Sequence, residues 1–364
     1  MLRVVIAPDS FKGSAAAAAA AAAIAEGWRE VRPDDEVLQI PQADGGEGTL
    51  DAVQAAVPGA MRHELEVTGP DGRPVRAGWL MLPDDTAVAE FAQSSGLPQM
   101  QTLDALGATS RGLGQVLAAA LAAGARSLVI GLGGSATTDG AAGALQALGL
   151  SLRDAEGAEL EPGGAALAGL ASADASSLVP PPAGGVRLLT DVTNPLLGTD
   201  GAAAVFGPQK GADPGQVEIL DRALGVWAEV LGGDPRLPGA GAAGGAGFGF
   251  AAAWGAELVA GSAELARLSG LTAAAAGADV LITGEGRFDA TSLGGKVVGH
   301  ALGLAGAATR VVVIAGRVDS EPVLPDGRGA ASVDLTALAG SPEAALGAPL
   351  TWLREAGMRA ARDL

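Results

Sequence analysis

Short, continuous apolar segments alternate with segments of helical periodicity along most of this chain. Strands that are buried on both faces read as unbroken apolar runs, and strands that alternate with helices are typical of a parallel sheet. The sequence therefore predicts an α/β fold. The predicted strands are 4–7, 36–40, 127–132, 186–190, 279–283 and 310–315, and the predicted helices are 15–27, 49–57, 109–123, 141–148, 216–231, 296–304 and 350–362.

One region breaks this alternation. Residues 64–91 are predicted to form antiparallel strands joined by a Gly-Pro-Asp-Gly turn and a Pro-Asp-Asp turn. We therefore predict two domains. A discontinuous Rossmann-like domain is built from 1–63 and 270–364, and a mixed α/β domain, 64–269, is inserted into it. The Gly-, Ala- and Pro-rich stretch 163–185 is predicted to be an irregular surface loop.

Lysine is rare in this chain. The sequence holds three lysines, Lys12, Lys210 and Lys296, against twenty arginines, and it has one asparagine and no tyrosine. If compositional drift has replaced most lysines by arginine, the remaining ones mark positions where a compact ammonium group is required. Each lies next to a glycine, a setting suited to holding a phosphate or a carboxylate.

Composition excludes several classes of function. A chain of 364 residues can form two domains, and without cysteine it has no disulfide, thiol nucleophile or thiolate metal site. A net charge of −18 argues against a nucleic-acid partner. The longest apolar block, 15–25, is too short and too rich in alanine for a membrane span, and the first residues lack a leader pattern. We expect a cytoplasmic monomer or homodimer that binds a small molecule and neither nucleic acid nor membrane.

Polar, glycine-rich loops follow five of the predicted strands. Ligands of α/β sheets bind beyond the carboxyl ends of the strands. Turn geometry and helix capping explain any one such loop, but five that each hold an acid or a lysine indicate a ligand. Carboxylates, hydroxyls and glycine amides together suit a Mg²⁺–triphosphate. The loops are 9–14, 43–49, 133–140, 191–195 and 284–289, the last leading to 294–296.

Other functions compete with this interpretation. Residues 131–136, GLGGSA, fit the dinucleotide pattern G-x-G-x-x-[GA], which would make the protein a nicotinamide-dependent dehydrogenase, although Asp154 is poorly placed as its ribose partner. The absence of G-x-x-x-x-G-K-[ST] argues against a P-loop NTPase. His63 and His300 are the only histidines, which gives little support to a Ser–His–Asp hydrolase or a histidine metal site. Outside enzymology, the alternative is a ligand-binding regulatory protein.

Eight motifs, in order, resemble those of a known family. They are IAPDSFKGS, ADGGEGT, VTGPDGRPV, GLGGSATTDGAAGALQALG, DVTNPLLG, GAAAVFGPQKGA, PGAGAAGGAGFG and LITGEGRFDATSLGGK, and the resemblance extends from Val4 to about Gly316. The series is similar to that of the bacterial glycerate kinase family. The resemblance implies a Rossmann-like domain and a mixed α/β domain with an active cleft between them. It also implies ATP, Mg²⁺ and D-glycerate as ligands, with 2-phosphoglycerate favoured as the product and 3-phosphoglycerate as the other option.

The residues and the resemblance together predict in-line phosphoryl transfer. We expect Asp191 to accept the proton of the glycerate hydroxyl, with Asp44 as the alternative base. Asn194 is either a turn residue or an amide contact to the ligand, and Lys210 suits either reactant. The remaining expectations are contacts to the phosphoryl group or carboxylate from Lys12, Arg287 and Lys296, substrate contacts from Ser10, Asn194, Lys210 and Glu47, phosphate contacts from Gly133, Gly134, Ser135, Thr137, Gly284 and Gly286, and Mg²⁺ ligation by Glu285 with Asp289 or Asp44.

Overall fold

The computed structural model describes residues 1–294 and 296–364, so Gly295, in the glycine pair before Lys296, lies outside the described residues. The strands in these ranges are β1 (Arg3–Pro8), β2 (Glu36–Gln39), β3 (Met61–Thr68), β4 (Pro74–Met81), β5 (Thr86–Glu90), β6 (Ser127–Gly131), β7 (Ser151–Arg153), β8 (Ser172–Asp174), β9 (Val186–Leu189), β10 (Glu257–Val259), β11 (Val280–Phe288), β12 (Arg310–Val318) and β13 (Ala331–Asp334). The α-helices are α1 (Ala17–Val31), α2 (Thr49–Ala56), α3 (Phe91–Ser95), α4 (Arg111–Ala122), α5 (Ala142–Ala147), α6 (Ala202–Phe206), α7 (Pro214–Leu231), α8 (Ala242–Trp254), α9 (Gly261–Leu268), α10 (Leu271–Ala276), α11 (Val297–Leu304), α12 (Leu335–Ala339), α13 (Pro342–Gly347) and α14 (Pro349–Arg362).

The chain divides into two compact units. Unit 1 comprises Met1–Asp44, Asp51–Pro58 and Ser262–Leu364. Its sheet has five parallel strands in the order β13-β12-β11-β1-β2. Successive side chains of a strand point to opposite faces. In β1, Val4 and Ile6 therefore pack with α1 and α14, while Val5 and Ala7 pack with α10 and α11. Burial on both faces explains the unbroken apolar runs in the sequence.

The alanine-rich helix α1 packs very closely on α14. A Cβ atom on Gly27 would lie 1.9 Å from the carbonyl oxygen of Arg354, and one on Gly357 would lie 2.3 Å from that of Ile24. Small residues on both helices allow their backbones to approach, and Trp28 is fully buried beside them. The alanine run thus serves as a close-packing surface within unit 1.

Unit 2 comprises Gly45–Leu50 and Gly59–Gly261, whereas the sequence places the limits of the inserted domain at 64 and 269. Its sheet has six strands in the order β10-β9-β6-β5-β4-β3. The first four are parallel, and β4 and β3 are antiparallel additions at one side. Its core includes the buried side chains of Phe91, Trp227 and Phe250.

The structure confirms the α/β alternation, the six predicted strands and the antiparallel strands within 64–91, with shifts of a few residues at most element ends. One prediction was wrong at β11. Residues 284–288 are not a loop, because they continue β11 and pair with the extended end of β12. None of the helices in the described ranges has the length and apolar character needed to cross a bilayer.

The predicted irregular loop 163–185 was also partly wrong. It contains a 3₁₀ helix, Ala165–Gly169, and the strand β8, which pairs antiparallel with β7. Leu167 and Leu170 are buried in the core of unit 2. Apolar burial therefore orders a segment whose composition suggested a turn-rich surface.

Candidate active site

A pocket of about 470 Å³ lies in unit 1, where the carboxyl ends of its parallel strands meet. Its polar side includes Asp9, Lys12, Asp44, Glu285 and Lys296. These residues come from four separate loops or strand ends, so the sheet topology brings them together. The structure thus assembles one part of the predicted site at one edge of this sheet.

The loop after β1 holds Lys12 at this pocket. Phe11 is buried, its amide donates to the carbonyl of Ala15 at 2.8 Å, and the Ser14 hydroxyl donates to the carbonyl of Phe11 at 2.9 Å. Gly13, with φ at +81°, completes the turn in a region that favours glycine. The tight loop leaves Lys12 exposed at the pocket, with Ser10 also in the lining.

Asp9 is a pocket residue that the sequence analysis did not assign to the site. Its amide donates to the carbonyl of Gly284 at 2.8 Å, and its Oδ1 accepts the amide of Ser10 at 2.6 Å. Burial is the main cause that raises the pKa of Asp9 to about 7, and the neighbouring Asp44 carboxylate adds to it. One sequence feature could have identified Asp9 as a site residue: it directly follows a predicted strand, in the same loop as Lys12. A carboxyl group with a pKa near 7 is typical of functional sites.

Glu285 is held near the end of β11. Burial raises its pKa, while a hydrogen bond with Ser292 and the charge of Lys296 oppose that shift. Within the described part of the chain, its buried Oε1 has no hydrogen-bond partner. An unpartnered carboxylate oxygen close to other acids is a suitable ligand for a hard cation.

Asp289 and Arg287 are engaged in local structure. Asp289 Oδ1 accepts the amide of Thr291 at 2.8 Å and its hydroxyl at 2.7 Å, so it caps the 3₁₀ helix Ala290–Leu293. Arg287 lines the pocket, but its Nε lies 2.6 Å from Asp319. Glu285 is therefore better placed for a cation than Asp289, and Arg287 is already paired.

The glycines of β11 have packing roles. A Cβ on Gly284 would lie 1.9 Å from the carbonyl oxygen of Ile314, so glycine is required for strand packing there. A Cβ on Gly286 would lie 3.5 Å from the amide nitrogen of Lys12, an ordinary contact, and Gly286 lines the pocket. Of these two predicted phosphate contacts, Gly286 is the one at the pocket surface.

The other side of the pocket is apolar. Leu335 begins α12, Ala345 and Leu346 belong to α13, and Pro349 begins α14. None of these residues lies in a motif of the sequence analysis, because their separation along the chain hides that they form one surface. We call them the apolar wall.

Unit 2 holds the second part of the predicted site. Lys210 is buried, and its Nζ donates to Ser135 Oγ at 3.1 Å and to the carbonyl oxygen of Thr137. Burial lowers the pKa of Lys210 to about 7, and the charge of Asp139 opposes the shift. The structure thus joins three predicted site residues, but with the lysine inside the unit and bonded to the loop.

Asp139, which has no predicted role among the site residues, anchors the same loop. Its Oδ2 accepts the amide and the hydroxyl of Ser110, both at 2.8 Å, which ties the loop to the start of α4. The buried hydroxyls of Ser95, Thr137 and Thr138 have no hydrogen-bond partner within the described residues. Residues 135–140 of this loop are buried and therefore form a polar cluster around Lys210 and Asp139.

Glycine at position 133 allows two backbone segments of unit 2 to lie close together. A Cβ on Gly133 would lie 2.5 Å from Cα of Gly46, and its amide donates to the carbonyl of Gly45 at 3.1 Å. Gly134 has φ at +74°. The helix that follows β6 starts only at Ala142. The glycine motif at 131–136 therefore does not open directly into a helix, as a dinucleotide fingerprint requires.

The acids and the amide predicted at the substrate are also placed in unit 2, apart from Asp44. Asp191 is exposed after β9, and its Oδ1 accepts the amide of Gly261 at 3.0 Å. Asn194 donates its side-chain amide to the carbonyl of Asp200 at 2.8 Å, so it fastens a turn. Glu47 is exposed in the segment Gly45–Leu50. The predicted site residues are thus divided between the pocket of unit 1 and the loops of unit 2.

Across residues 1–294 and 296–364, no three His, Asp or Glu side chains are grouped closely enough to hold a metal ion by themselves. The pocket still concentrates negative charge, since Asp44 and Glu285 both raise the pKa of Asp9. A cation there would need further ligands, such as phosphate oxygens or water. The chemistry of this donor set fits a hard divalent cation such as Mg²⁺.

Comparison with known proteins identifies the family. Residues 4–364 match the model of the glycerate kinase family. The chain is 46% identical over 305 residues to the glycerate 2-kinase of Escherichia coli K12, covering 81% of this chain and 80% of that protein. It is 42% identical over 339 residues to the glycerate kinase of Bacillus subtilis 168, covering 90% and 88%.

A solved structure agrees with these relatives. The crystal structure of a Salmonella typhimurium LT2 protein assigned as glycerate kinase 2 matches with a TM-score of 0.87 and 40% identity, over 100% of this chain and 98% of that one. The sequence matches cover most of this chain, and the structural match covers all of it. The chain therefore belongs to the glycerate kinase family.

Proposed function

We propose that this protein transfers the γ-phosphoryl group of ATP to D-glycerate, with 2-phosphoglycerate as the favoured product and 3-phosphoglycerate as the other option. The observation that carries the proposal is the pocket of unit 1, where Lys12 and Lys296 lie with three carboxylates. Phosphoryl transfer depends mainly on positioning and charge neutralisation, and this combination supplies both. Because both substrates are small metabolites, we also propose a cytoplasmic enzyme.

Lys12 and Lys296 are assigned to the phosphates of ATP. Both are exposed ammonium groups at the pocket, and Lys12 sits on a loop fixed by the burial of Phe11. Gly286 is also in the lining, where the lack of a side chain leaves its backbone open to a ligand. Ser10 is the nearby hydroxyl donor in the lining.

Mg²⁺, when bound, would neutralise charge on the triphosphate. Glu285 and Asp44 are the residues assigned to hold it. The unpartnered Oε1 of Glu285 supports this choice. Asp289 is less suitable, because its Oδ1 caps a helix turn.

Asp191 is assigned as the base. It would accept the hydroxyl proton of D-glycerate as the new oxygen–phosphorus bond forms and the bond from the γ-phosphorus to ADP breaks. Its support is an exposed carboxylate at a strand end, held by the amide of Gly261. Asp44 remains the alternative base. Lys210 and Asp139 are assigned to holding the loop 133–140, with the buried Ser135 and Thr137, in a fixed shape for the substrate side.

The test is an assay of ATP-dependent phosphorylation of D-glycerate. ADP release measures the turnover, and phosphorus NMR identifies the product. Asp191→Asn should lose about 100-fold or more in kcat, as expected for a positioned general base. Asp200→Asn is the matched control, an exposed acid in the same loop. It should retain wild-type activity.

The variants also separate the two candidate bases. Full activity of Asp191→Asn together with a large loss in Asp44→Asn would assign the base to Asp44. A loss in Asp44→Asn that high Mg²⁺ restores would instead support its role in binding the cation. Wild-type protein that releases no ADP with D-glycerate would contradict the proposed function.

A further inference from the structure

The pocket of unit 1 has two chemically different sides. The side described above is charged, and the apolar wall of Leu335, Ala345, Leu346 and Pro349 faces the same space. A pocket of about 470 Å³ falls within the range that accommodates drug-sized ligands, roughly 300–1,000 Å³. D-glycerate, a three-carbon acid with a polar group on each carbon, has no surface that matches an apolar wall.

Leu346 gives this wall an unusual exposure. The residue is 63% exposed, more than any other large hydrophobic residue in the described ranges except the terminal Met1. An isolated exposed leucine needs no explanation, but one at the rim of a charged pocket marks a surface that a ligand can cover. Leu335 and Ala345 beside it are buried and form its base.

Hydrogen bonds fix the wall relative to the charged side. The Thr336 hydroxyl donates to the carbonyl of Gly316 at 2.8 Å, and Asp334 accepts the amide of Val318 at 2.9 Å. The indole of Trp352 donates to the carbonyl of Ala344 at 3.0 Å, which ties α13 to α14. The wall is therefore part of the rigid framework of unit 1, and its position in the pocket is built into the fold.

We infer that the apolar wall binds the adenosine moiety of ATP, with Leu346 in contact with the base and the triphosphate extending to Lys12 and Lys296. This inference rests on the proposed function, since it takes ATP as the phosphoryl donor. ATP combines a flat aromatic base, whose faces can pack on apolar side chains, with a polyanionic chain, so the two sides of the pocket match its two ends. The C-terminal residues after 316, which carry no motif, thereby acquire a binding role.

Calorimetric titration of the full chain with Mg²⁺-ATP, without D-glycerate, tests this inference apart from turnover. Leu346→Ser should raise the Kd for ATP roughly tenfold, because it removes apolar contact with the base. Leu346→Met, which keeps that contact, should bind ATP like the wild type. Inorganic tripolyphosphate, which lacks the nucleoside, should bind all three proteins equally.

Leu350→Ser is the matched control, because Leu350 is 46% exposed on α14 but does not line the pocket. It should leave the Kd for ATP unchanged. An unchanged Kd for ATP in Leu346→Ser, or an equal loss of tripolyphosphate affinity, would overturn the inference. ATP binding that depends on Leu346 in a protein that does not phosphorylate D-glycerate would refute the proposed function and support the inference. A wild type that phosphorylates D-glycerate, with ATP binding independent of Leu346, would do the reverse.

Discussion

Lys12 and Lys296 lie exposed at a pocket of unit 1, whereas Lys210 is buried in unit 2 and bonded to Ser135 and Thr137. All three are adjacent to glycine in the sequence, and rarity sets all three apart. An exposed ammonium group is available to a ligand, while a buried one organises the chain around it. The comparison shows that one compositional signal can mark both kinds of lysine.

The largest expected effect is loss of activity on removing an exposed lysine. Lys12→Ala should lower kcat/KM about 10²–10³-fold, which is ~3–4 kcal/mol of transition-state stabilisation. The substitution removes the positive charge that stabilises the transferring phosphoryl group. Its free energy of unfolding should change by less than about 0.5 kcal/mol, because the side chain is exposed. Steady-state kinetics and urea denaturation measure the two effects. Lys12→Arg tests the need for a compact ammonium group, and wild-type activity of Lys12→Ala would remove Lys12 from the site.

Replacing the buried lysine should instead lower the stability of the protein. Lys210→Ala should lower the free energy of unfolding by about 2–3 kcal/mol at pH 9, through a cavity and two unmade hydrogen bonds. At that pH the cost of burying the amine is reduced, because its pKa is about 7 in the folded protein. Urea denaturation gives the value, with Lys12→Ala as the control. Unchanged stability with activity lost as fully as in Lys12→Ala would place Lys210 among the residues that contact the reactants.

Helix packing gives a second contrast between the units. Gly27→Ala in unit 1 should cost about 1–3 kcal/mol, because the new Cβ would lie 1.9 Å from the carbonyl oxygen of Arg354. Gly225→Ala on α7 in unit 2 meets no atom within 4 Å and should stabilise by about 0.5–1 kcal/mol through helix propensity. Thermal and urea unfolding measure both. Equal effects of the two substitutions would contradict the close packing of α1 on α14.

Asp9 and Lys210, two ionisable groups whose pKa values are shifted by burial, should give the stability opposite pH dependences. The pKa of Asp9 rises from 3.8 to about 7 on folding, so the folded protein holds the extra proton and loses stability as pH rises through that window. The pKa of Lys210 falls from 10.5 to about 7, so the unfolded chain holds the extra proton and stability rises with pH above 7.

Asp9→Asn and Lys210→Met should each remove one of these slopes. The expected change is about 1–2 kcal/mol across each window, after allowance for screening and relaxation. Urea denaturation at a series of pH values, in buffer without Mg²⁺, measures it. Retention of the acid-side slope in Asp9→Asn would assign it to another carboxyl group.

Much of the fold could be predicted from the sequence. Strand β1 and its neighbours are unbroken apolar runs because helices cover both faces of their sheet. The β11 extension could not be predicted, because Gly284 and Gly286 favour a turn locally and only pairing with β12 makes them strand. Leu167 was similarly hidden in a segment with the composition of a loop.

The candidate site was predicted in outline. The loops after β1 and β2 and the end of β11 do converge on one pocket, since carboxyl ends of parallel strands share an edge. Asp9 was missed because an acid in a turn has a simpler explanation in capping. Its raised pKa comes mainly from burial, which the sequence does not show, and from the neighbouring Asp44 and Glu285. Leu346 was missed because its partners in the apolar wall are not contiguous in sequence.

Local sequence patterns are enough to predict the α/β class, the family through its ordered motifs, and the loops that could carry chemistry. These properties depend on local periodicity and on residues close together in the chain. Tertiary packing, by contrast, places Lys210, 75 residues from Ser135, inside unit 2 and leaves Lys12 and Lys296 at a surface. Burial depends on which distant segments pack around a side chain, and that packing sets both its pKa and its access to a ligand.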